Sequence, residues 1–379
     1  MPSASSFLTI RPTSAYADPM TRIAAVQGVL PPHRYEQREI AEALAAVCLP
    51  DGTDRATRAD RAVLDRLHRT SSVGTRHLAL PLERYADLGG FGRANDLFIE
   101  EGLRLGERAL RAALDQAGIA PHEVDLVITT SVTGIAAPSL EARLAGRVGL
   151  RPDVKRVPVF GLGCVAGAAG LARLHDYLAG HPGQVAVLLC VELCSLTVQR
   201  GDASPANLVA GALFGDGAGA LVAVGREHRL HREGAGPTVS ATRSRLYSGT
   251  ERALGWDIGD TGFRIVLGAE LPELVRLHVG EEVRSFLAEH DLKPPDVAGW
   301  VCHPGGPKVL DALEATLGLD AGALELTRRS LAQVGNLSSA SVLHILRDTL
   351  ALRPPPSGTP GLMLAMGPGF CSELVLLRW

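Results

Sequence analysis

The sequence predicts an α/β protein in which helices and sheets stack in layers and the chain is built from two related halves. Three observations carry this. Segments such as "VDLVITTS" and "VAVLLCV" are continuous apolar runs, which mark strands covered on both faces. They alternate with stretches of helical periodicity, the order that places sheets under helical layers. The alternation recurs about 170 residues later, a period far too long for a solenoid and fitting an old duplication.

The elements follow in order. The first half runs "RALRAALDQAGIAPHEVDLVITTSVTG", then "PSLEARLAGRVGL", then "FGLGCVAGAAGLARLHDYL". The second runs "EEVRSFLAEHDLKPPDVAGWVCHPGG", then "PKVLDALEATLGL", then "QVGNLSSASVLHILRDTL". Side by side, Cys164 falls on Asn336, and Thr130–Ser131 fall beside Cys302–His303. Further on, "QVAVLLCVEL" and "ALFGDGAGALVAV" match "GLMLAMGPGFCSELVLL", each a strand, a glycine turn and a returning strand, with Gly215, Asp216 and Gly217 read as a hairpin turn. The polar stretch 225–240 is the expected join. This gives a loose tail over 1–21, an N-terminal half over 22–230 and a C-terminal half over 231–379. Equivalent helix starts should then face each other across a pseudo-twofold axis. Small residues at 166–170 and 338–341 suit helices buried between sheets.

Composition narrows the function. A chain of 379 residues with 46% hydrophobic content has enough apolar side chain for sizeable cores. Only three lysines are present and acidic residues slightly outnumber basic ones, net −3, so no nucleic-acid or anionic-membrane partner is expected. No run reaches the ~18 apolar residues of a membrane span, and the first twenty residues lack a secretory apolar core. Six cysteines without a CxxC fit reduced thiols in the cytoplasm. There is no P-loop, no HExxH and no His/Cys cluster at zinc spacing, and "GLGCVAG" is not GxGxxG, so neither a metal nor a dinucleotide is expected.

A cysteine in the first turn of a helix meets unpaired N–H groups that favour its thiolate, and a nearby imidazolium would favour it further. Cys164 and His303 are the candidates, with Asn336 as a hydrogen-bond donor. A lone cysteine is usually a small buried hydrophobe, and a lone histidine or asparagine usually satisfies a loop or cap. What argues for chemistry is that all three fall at equivalent ends of duplicated units.

Cys164 in "GLGCVAGA", Phe214 in "ALFGDGAGA", His303 in "HPGGPKVL", Asn336 in "GNLSSASV" and the closing "GPGF" together resemble the type III polyketide synthases, relatives of chalcone synthase with a thiolase-like fold. The resemblance runs from about residue 22 to 379. It implies a homodimeric acyltransferase that loads an acyl group from acyl-coenzyme A onto Cys164, extends it by decarboxylative condensation with malonyl-coenzyme A or methylmalonyl-coenzyme A, and cyclises the product, with no permanently bound cofactor. His303 and Asn336 would hold the enolate oxygen, each donor worth ~3–4 kcal/mol. Phe214 would stand between the coenzyme A tunnel and the condensing chamber. By the same resemblance Cys194, Thr197, Ala137, Ile265 and Ser338 line the chamber, Met366 replaces an aromatic of the plant enzymes' C-terminal loop, and Phe263 is an alternative to Ile265 as second mouth residue. Few aromatics at these positions suggest an aliphatic starter and an alkylpyrone or alkylresorcinol product. Lys308, Arg69 and Arg76 are candidate phosphate contacts for coenzyme A. Two rivals share the residue types: an initiating ketoacyl synthase, disfavoured by "HPGG" at His303, and a Cys-His-Asn thioester hydrolase.

Overall fold

A computed structural model describes residues 21–49 and 55–379. The expected tail lies outside the described residues up to residue 20, whereas Thr21 opens the first strand and is fully buried. In chain order the strands are β1 (Thr21–Val29), β2 (His33–Glu36), β3 (Thr75–Leu78), β4 (Leu126–Thr130), β5 (Lys155–Val159), β6 (Val185–Leu193) and β7 (Asp216–Gly225). They continue with β8 (Thr238–Leu246), β9 (Leu254–Gly259), β10 (Gly262–Leu267), β11 (Gly299–Cys302), β12 (Pro360–Gly367) and β13 (Cys371–Arg378).

Nine of these form one sheet in the order β11-β12-β13-β8-β1-β7-β6-β4-β5. Its two sides repeat each other outward from the centre. β1 pairs antiparallel with β7, β7 antiparallel with β6, and β6 parallel with β4. Likewise β8 pairs antiparallel with β13, β13 antiparallel with β12, and β12 parallel with β11. The duplication read from sequence is thus a duplication of topology.

Alternation along the strands assigns the layers, because successive side chains point to opposite faces. Val127, Val187 and Leu189 face an outer core that contains the helix Phe91–Ala117. Leu126, Ile128 and Leu188 face an inner core, which Val301, Met363 and Ala365 enter from the other half. Trp300, Leu362 and Leu364 face a third core with the helices Gly280–Ala288 and Pro307–Leu317. The inner core holds the helices Ala166–Gly180 and Ser341–Leu352, so the layers run helix, sheet, helix, sheet, helix.

Small residues are what allow the central helices in. A Cβ on Gly167 would lie 2.3 Å from the Ser339 carbonyl oxygen, and one on Gly170 2.4 Å from Leu188 Cδ1. Real Cβ atoms do not approach so closely, and the helices pack backbone against neighbour instead.

The expected pairing of Cys164 with Asn336 is corrected by three residues. Each central helix is preceded by a 3₁₀ turn, Gly163–Val165 before one and Ser338–Ala340 before the other. Gly163 and Ser338 both open their turns with positive φ, +55° and +48°. Cys164 therefore corresponds to Ser339, and Asn336 precedes its turn. A sequence offset chosen to match the two glycine turns missed this, because the left-handed residue is glycine in one half and serine in the other. The Gly215-Asp216-Gly217 segment is also corrected: β7 begins at Asp216, whose carboxylate is fully buried.

Candidate active site

Cys164 sits in the turn Gly163–Val165 and is 8% exposed. The C-terminal loop holds that turn from behind. A Cβ on Gly163 would lie 2.6 Å from Pro368 Cγ, and one on Gly367 would lie 2.7 Å from the Leu162 carbonyl oxygen. "GPGF" is therefore the cradle of the cysteine turn.

His303 follows β11, its amide donating to the Leu364 carbonyl at 2.8 Å in β12. Asn336 is fixed from both sides. Its backbone amide donates to the Leu213 carbonyl at 2.8 Å, and its carbonyl accepts from the Gly215 amide at 3.0 Å, so Phe214 and Asn336 form a bridge between the halves. Its side-chain Oδ1 accepts from the Ser338 amide at 2.8 Å. With Oδ1 occupied, Nδ2 is the end turned to the imidazole, 3.3 Å from His303 Nε2. One oxygen placed between these two nitrogens would be in reach of both, which is the geometry an oxyanion hole needs.

Two cavities meet here. The larger spans about 950 Å³ of atom-free space, part of it open to solvent, and is lined by four of the predicted chamber residues, Cys194, Thr197, Ile265 and Ser338, and by Arg76. The smaller, about 430 Å³, is lined by His303, Asn336 and Met366. Cys164 and Phe214 line both. Phe263 is buried against Trp256, Phe91 and Phe160, leaving Ile265 on the chamber wall.

Three expectations fail. Ala137 is exposed and lines neither cavity of its own chain. Arg76 is no surface phosphate ligand: it is 2% exposed, and its Nη1 donates to the Phe214 carbonyl at 2.6 Å while Nε donates to Gln37 Oε1 at 3.1 Å. It braces the aromatic residue between the cavities. The charge states also differ from the expected ion pair. Burial pushes the Cys164 thiol up to about 12 and the His303 imidazole down to about 3, so both rest neutral. Arg69 and Lys308 are exposed, on the helices Arg55–Thr70 and Pro307–Leu317, and line neither cavity.

Some residues at the site went unread in the sequence. Glu192 is fully buried at the end of β6 and accepts from the Val132 amide at 3.1 Å, Thr133 Oγ1 at 2.9 Å and Ser339 Oγ at 2.5 Å. An acid inside a nine-residue buried strand was the available signal. Trp256 lines the chamber directly opposite Ile265 in the β9–β10 hairpin.

The chain matches the models of the chalcone and stilbene synthases, the N-terminal domain over residues 13–227 and the C-terminal domain over 238–379. It belongs to this family. A 1,3,6,8-tetrahydroxynaphthalene synthase from Streptomyces peucetius subsp. caesius is 60% identical over 95% of this chain and 93% of that relative. A putative chalcone synthase from Bacillus subtilis (strain 168) is 35% identical over 83% of this chain and 89% of its own. The solved structure of 1,3,6,8-tetrahydroxynaphthalene synthase from Streptomyces coelicolor A3(2), a bacterial type III polyketide synthase, covers 94% of this chain and 99% of its own with TM-score 0.86 and 29% identity. The protein is a type III polyketide synthase of thiolase-like fold, an acyl-transferring enzyme that condenses coenzyme A thioesters by decarboxylation without a permanent cofactor. Membership sets aside the ketoacyl synthase and hydrolase alternatives. Among the described residues no helix is long and apolar enough to cross a membrane.

Proposed function

We propose that the enzyme builds a polyhydroxylated aromatic of the tetrahydroxynaphthalene class from malonyl-type units, with Cys164 as the acyl carrier and His303 and Asn336 as the oxyanion donors. The observation that carries the product class is the 60% identity, over nearly the whole chain, to a tetrahydroxynaphthalene synthase. Ten ring carbons with oxygen on alternate positions, and no side chain, are what five two-carbon units yield. The residue roles rest on geometry: the thiol, the imidazole and the amide border one cavity, and the amide's oxygen is held by the Ser338 amide, which turns its donor end to His303.

In this reading the Cys164 proton passes to His303 Nε2 as the sulfur attacks the thioester carbonyl, since both groups start neutral. The acyl bond to the coenzyme A sulfur breaks, coenzyme A leaves as its thiolate and takes a proton from solvent, and the imidazolium stays as a donor. Loss of carbon dioxide from malonyl-coenzyme A then leaves an enolate whose oxygen sits between His303 Nε2 and Asn336 Nδ2. Phe214, braced by Arg76, divides the coenzyme A side from the chamber. Arg69 and Lys308 remain candidates for the coenzyme A phosphates from the protein surface.

A second reading keeps an aliphatic acyl starter and an alkylpyrone or alkylresorcinol product. It is favoured by the chamber wall, where Ile40, Leu44, Val47, Leu78 and Val198 supply apolar surface that suits an acyl chain. Malonyl-coenzyme A alone separates the two. The first reading expects a ten-carbon tetrahydroxylated product by mass spectrometry. Product only after adding a fatty acyl-coenzyme A overturns it in favour of the second.

A homodimer is part of the proposal. The edge strand β5, the loop that follows it and the loop after β4 expose Val157, Phe160, Leu162 and Ile135, apolar surface that a second copy would cover. Six free thiols fit a reducing, cytoplasmic setting.

A further inference from the structure

Cys164, His303 and Asn336 leave a second buried polar group of the same chamber without a role. Tyr85 and Ser195 both line the chamber and are 4% and 7% exposed. Tyr85 Oη lies 2.5 Å from Ser195 Oγ, and Ser195 Oγ donates to Asp216 Oδ2 at 2.5 Å. The Asp216 carboxylate is held in place by the amides of Ala79 at 2.6 Å and Ser195 at 2.8 Å. Since the serine proton goes to the carboxylate, the tyrosine proton goes to the serine. The Leu80 amide, 3.3 Å away, supports the tyrosine oxygen. The three side chains form a directed chain of hydrogen bonds from the wall of an apolar chamber to a buried acid.

Among the described residues, that acid has no ion-pair partner at bonding distance. The Arg76 guanidinium on β3 acts on it only from further off, its Nε and Nη1 donating to Gln37 and Phe214. The other titratable groups facing it are Tyr85 and Cys194, and neither carries charge because burial raises both thiol and phenol. Burial dominates at Asp216 and raises it to about 6. A carboxylate so placed is ionised at neutral pH and well matched to accept a proton.

We infer that Tyr85, Ser195 and Asp216 form a proton relay that deprotonates the extended chain during ring closure, a role resting on the polyketide reading above. A methylene between two carbonyls gives its proton to Tyr85 Oη while the tyrosine proton moves to Ser195 Oγ and the serine proton to Asp216 Oδ2. The C–H electron pair becomes an enolate. It attacks a carbonyl carbon further along the chain, forming the C–C bond and breaking that carbonyl's π bond. The resulting alkoxide takes the proton back through the same three oxygens, so the acid is regenerated as carboxylate and no co-reactant is consumed.

The test compares Tyr85→Phe, Ser195→Ala and Ser195→Thr with the parent enzyme on malonyl-coenzyme A. The readout is the share of consumed malonyl units that ends in ring-closed aromatic product, against lactones and linear acids. Tyr85→Phe and Ser195→Ala should lower that share by about tenfold or more, while Ser195→Thr, which keeps a hydroxyl, should hold it near the parent value. A share that stays constant while total consumption falls would mean the trio only packs the wall, and overturns the relay. A parent enzyme that consumes no malonyl-coenzyme A overturns the polyketide reading as well, so the two failures are told apart.

Discussion

At Cys164 burial outweighs the helix end. The helix Ala166–Gly180 does begin two residues later, but the sulfur is enclosed and donates weakly to Ser338 Oγ at 3.6 Å. A resting thiol beside a neutral imidazole is protected from adventitious oxidation and alkylation, since the thiolate is the reactive form. Replacing Cys164 with Ala should abolish product while slow malonyl-coenzyme A decarboxylation persists. Asn336→Ala should cut decarboxylation by about 100-fold and starter loading far less, measured as carbon dioxide release against single-turnover acylation. Equal losses in Asn336→Ala would show that the amide does not select the enolate. That Cys164, His303 and Asn336 meet at one cavity was legible because their residue types and glycine-rich surroundings are local in sequence. Arg76 was not: a basic residue beside a turn reads as solvated, and only the fold reveals that it reaches the Phe214 carbonyl from 138 positions away.

Between the elements, contact distance is the governing quantity. The central helices approach so closely that a methyl group on Gly167 has no room beside the Ser339 carbonyl, a backbone atom that cannot rotate away. Gly167→Ala is expected to lower unfolding free energy by about 1–3 kcal/mol, read from the denaturant midpoint. Gly146→Ala is the contrast, because among the described residues nothing lies within 4 Å of a Cβ added there, and the helix Leu140–Val148 should gain slightly. Strands and helices were readable from apolar runs and repeated spacing. The register between the two 3₁₀ turns was not, because positive φ at Ser338 carries no mark in the sequence.

Across the whole molecule, buried histidines set the acid limit. His303 and His344 are fully enclosed, and burial holds them at about 3 and about 4. Each stays neutral in the fold and takes a proton once unfolded, below pH ~6.5. The unfolded state then binds more protons, so stability is intact above that pH and falls as pH drops toward the folded values, by about 1.4 kcal/mol per pH unit for each histidine. Asp216 acts in the opposite sense between about 6 and its ordinary value, since there the folded state holds the extra proton. Among the described residues burial lowers six histidines, these two with His68, His175, His228 and His290, against four acids it raises, Asp216 with Glu101, Glu192 and Glu373. The balance is a net loss, and urea unfolding at pH 7 and pH 5 should show a lower midpoint at pH 5.

Among the described residues, β1 and β8 join the two sides of the sheet through the pairs Thr21 with Val239 and Arg22 with Thr238, whereas β1 and β7 share eight. The thiol belongs to one side, and the imidazole and amide to the other. Their mutual alignment is consequently a matter of how two interlocked helices seat on each other. A slide of one side by a fraction of an ångström would leave every strand ladder whole and still silence the enzyme.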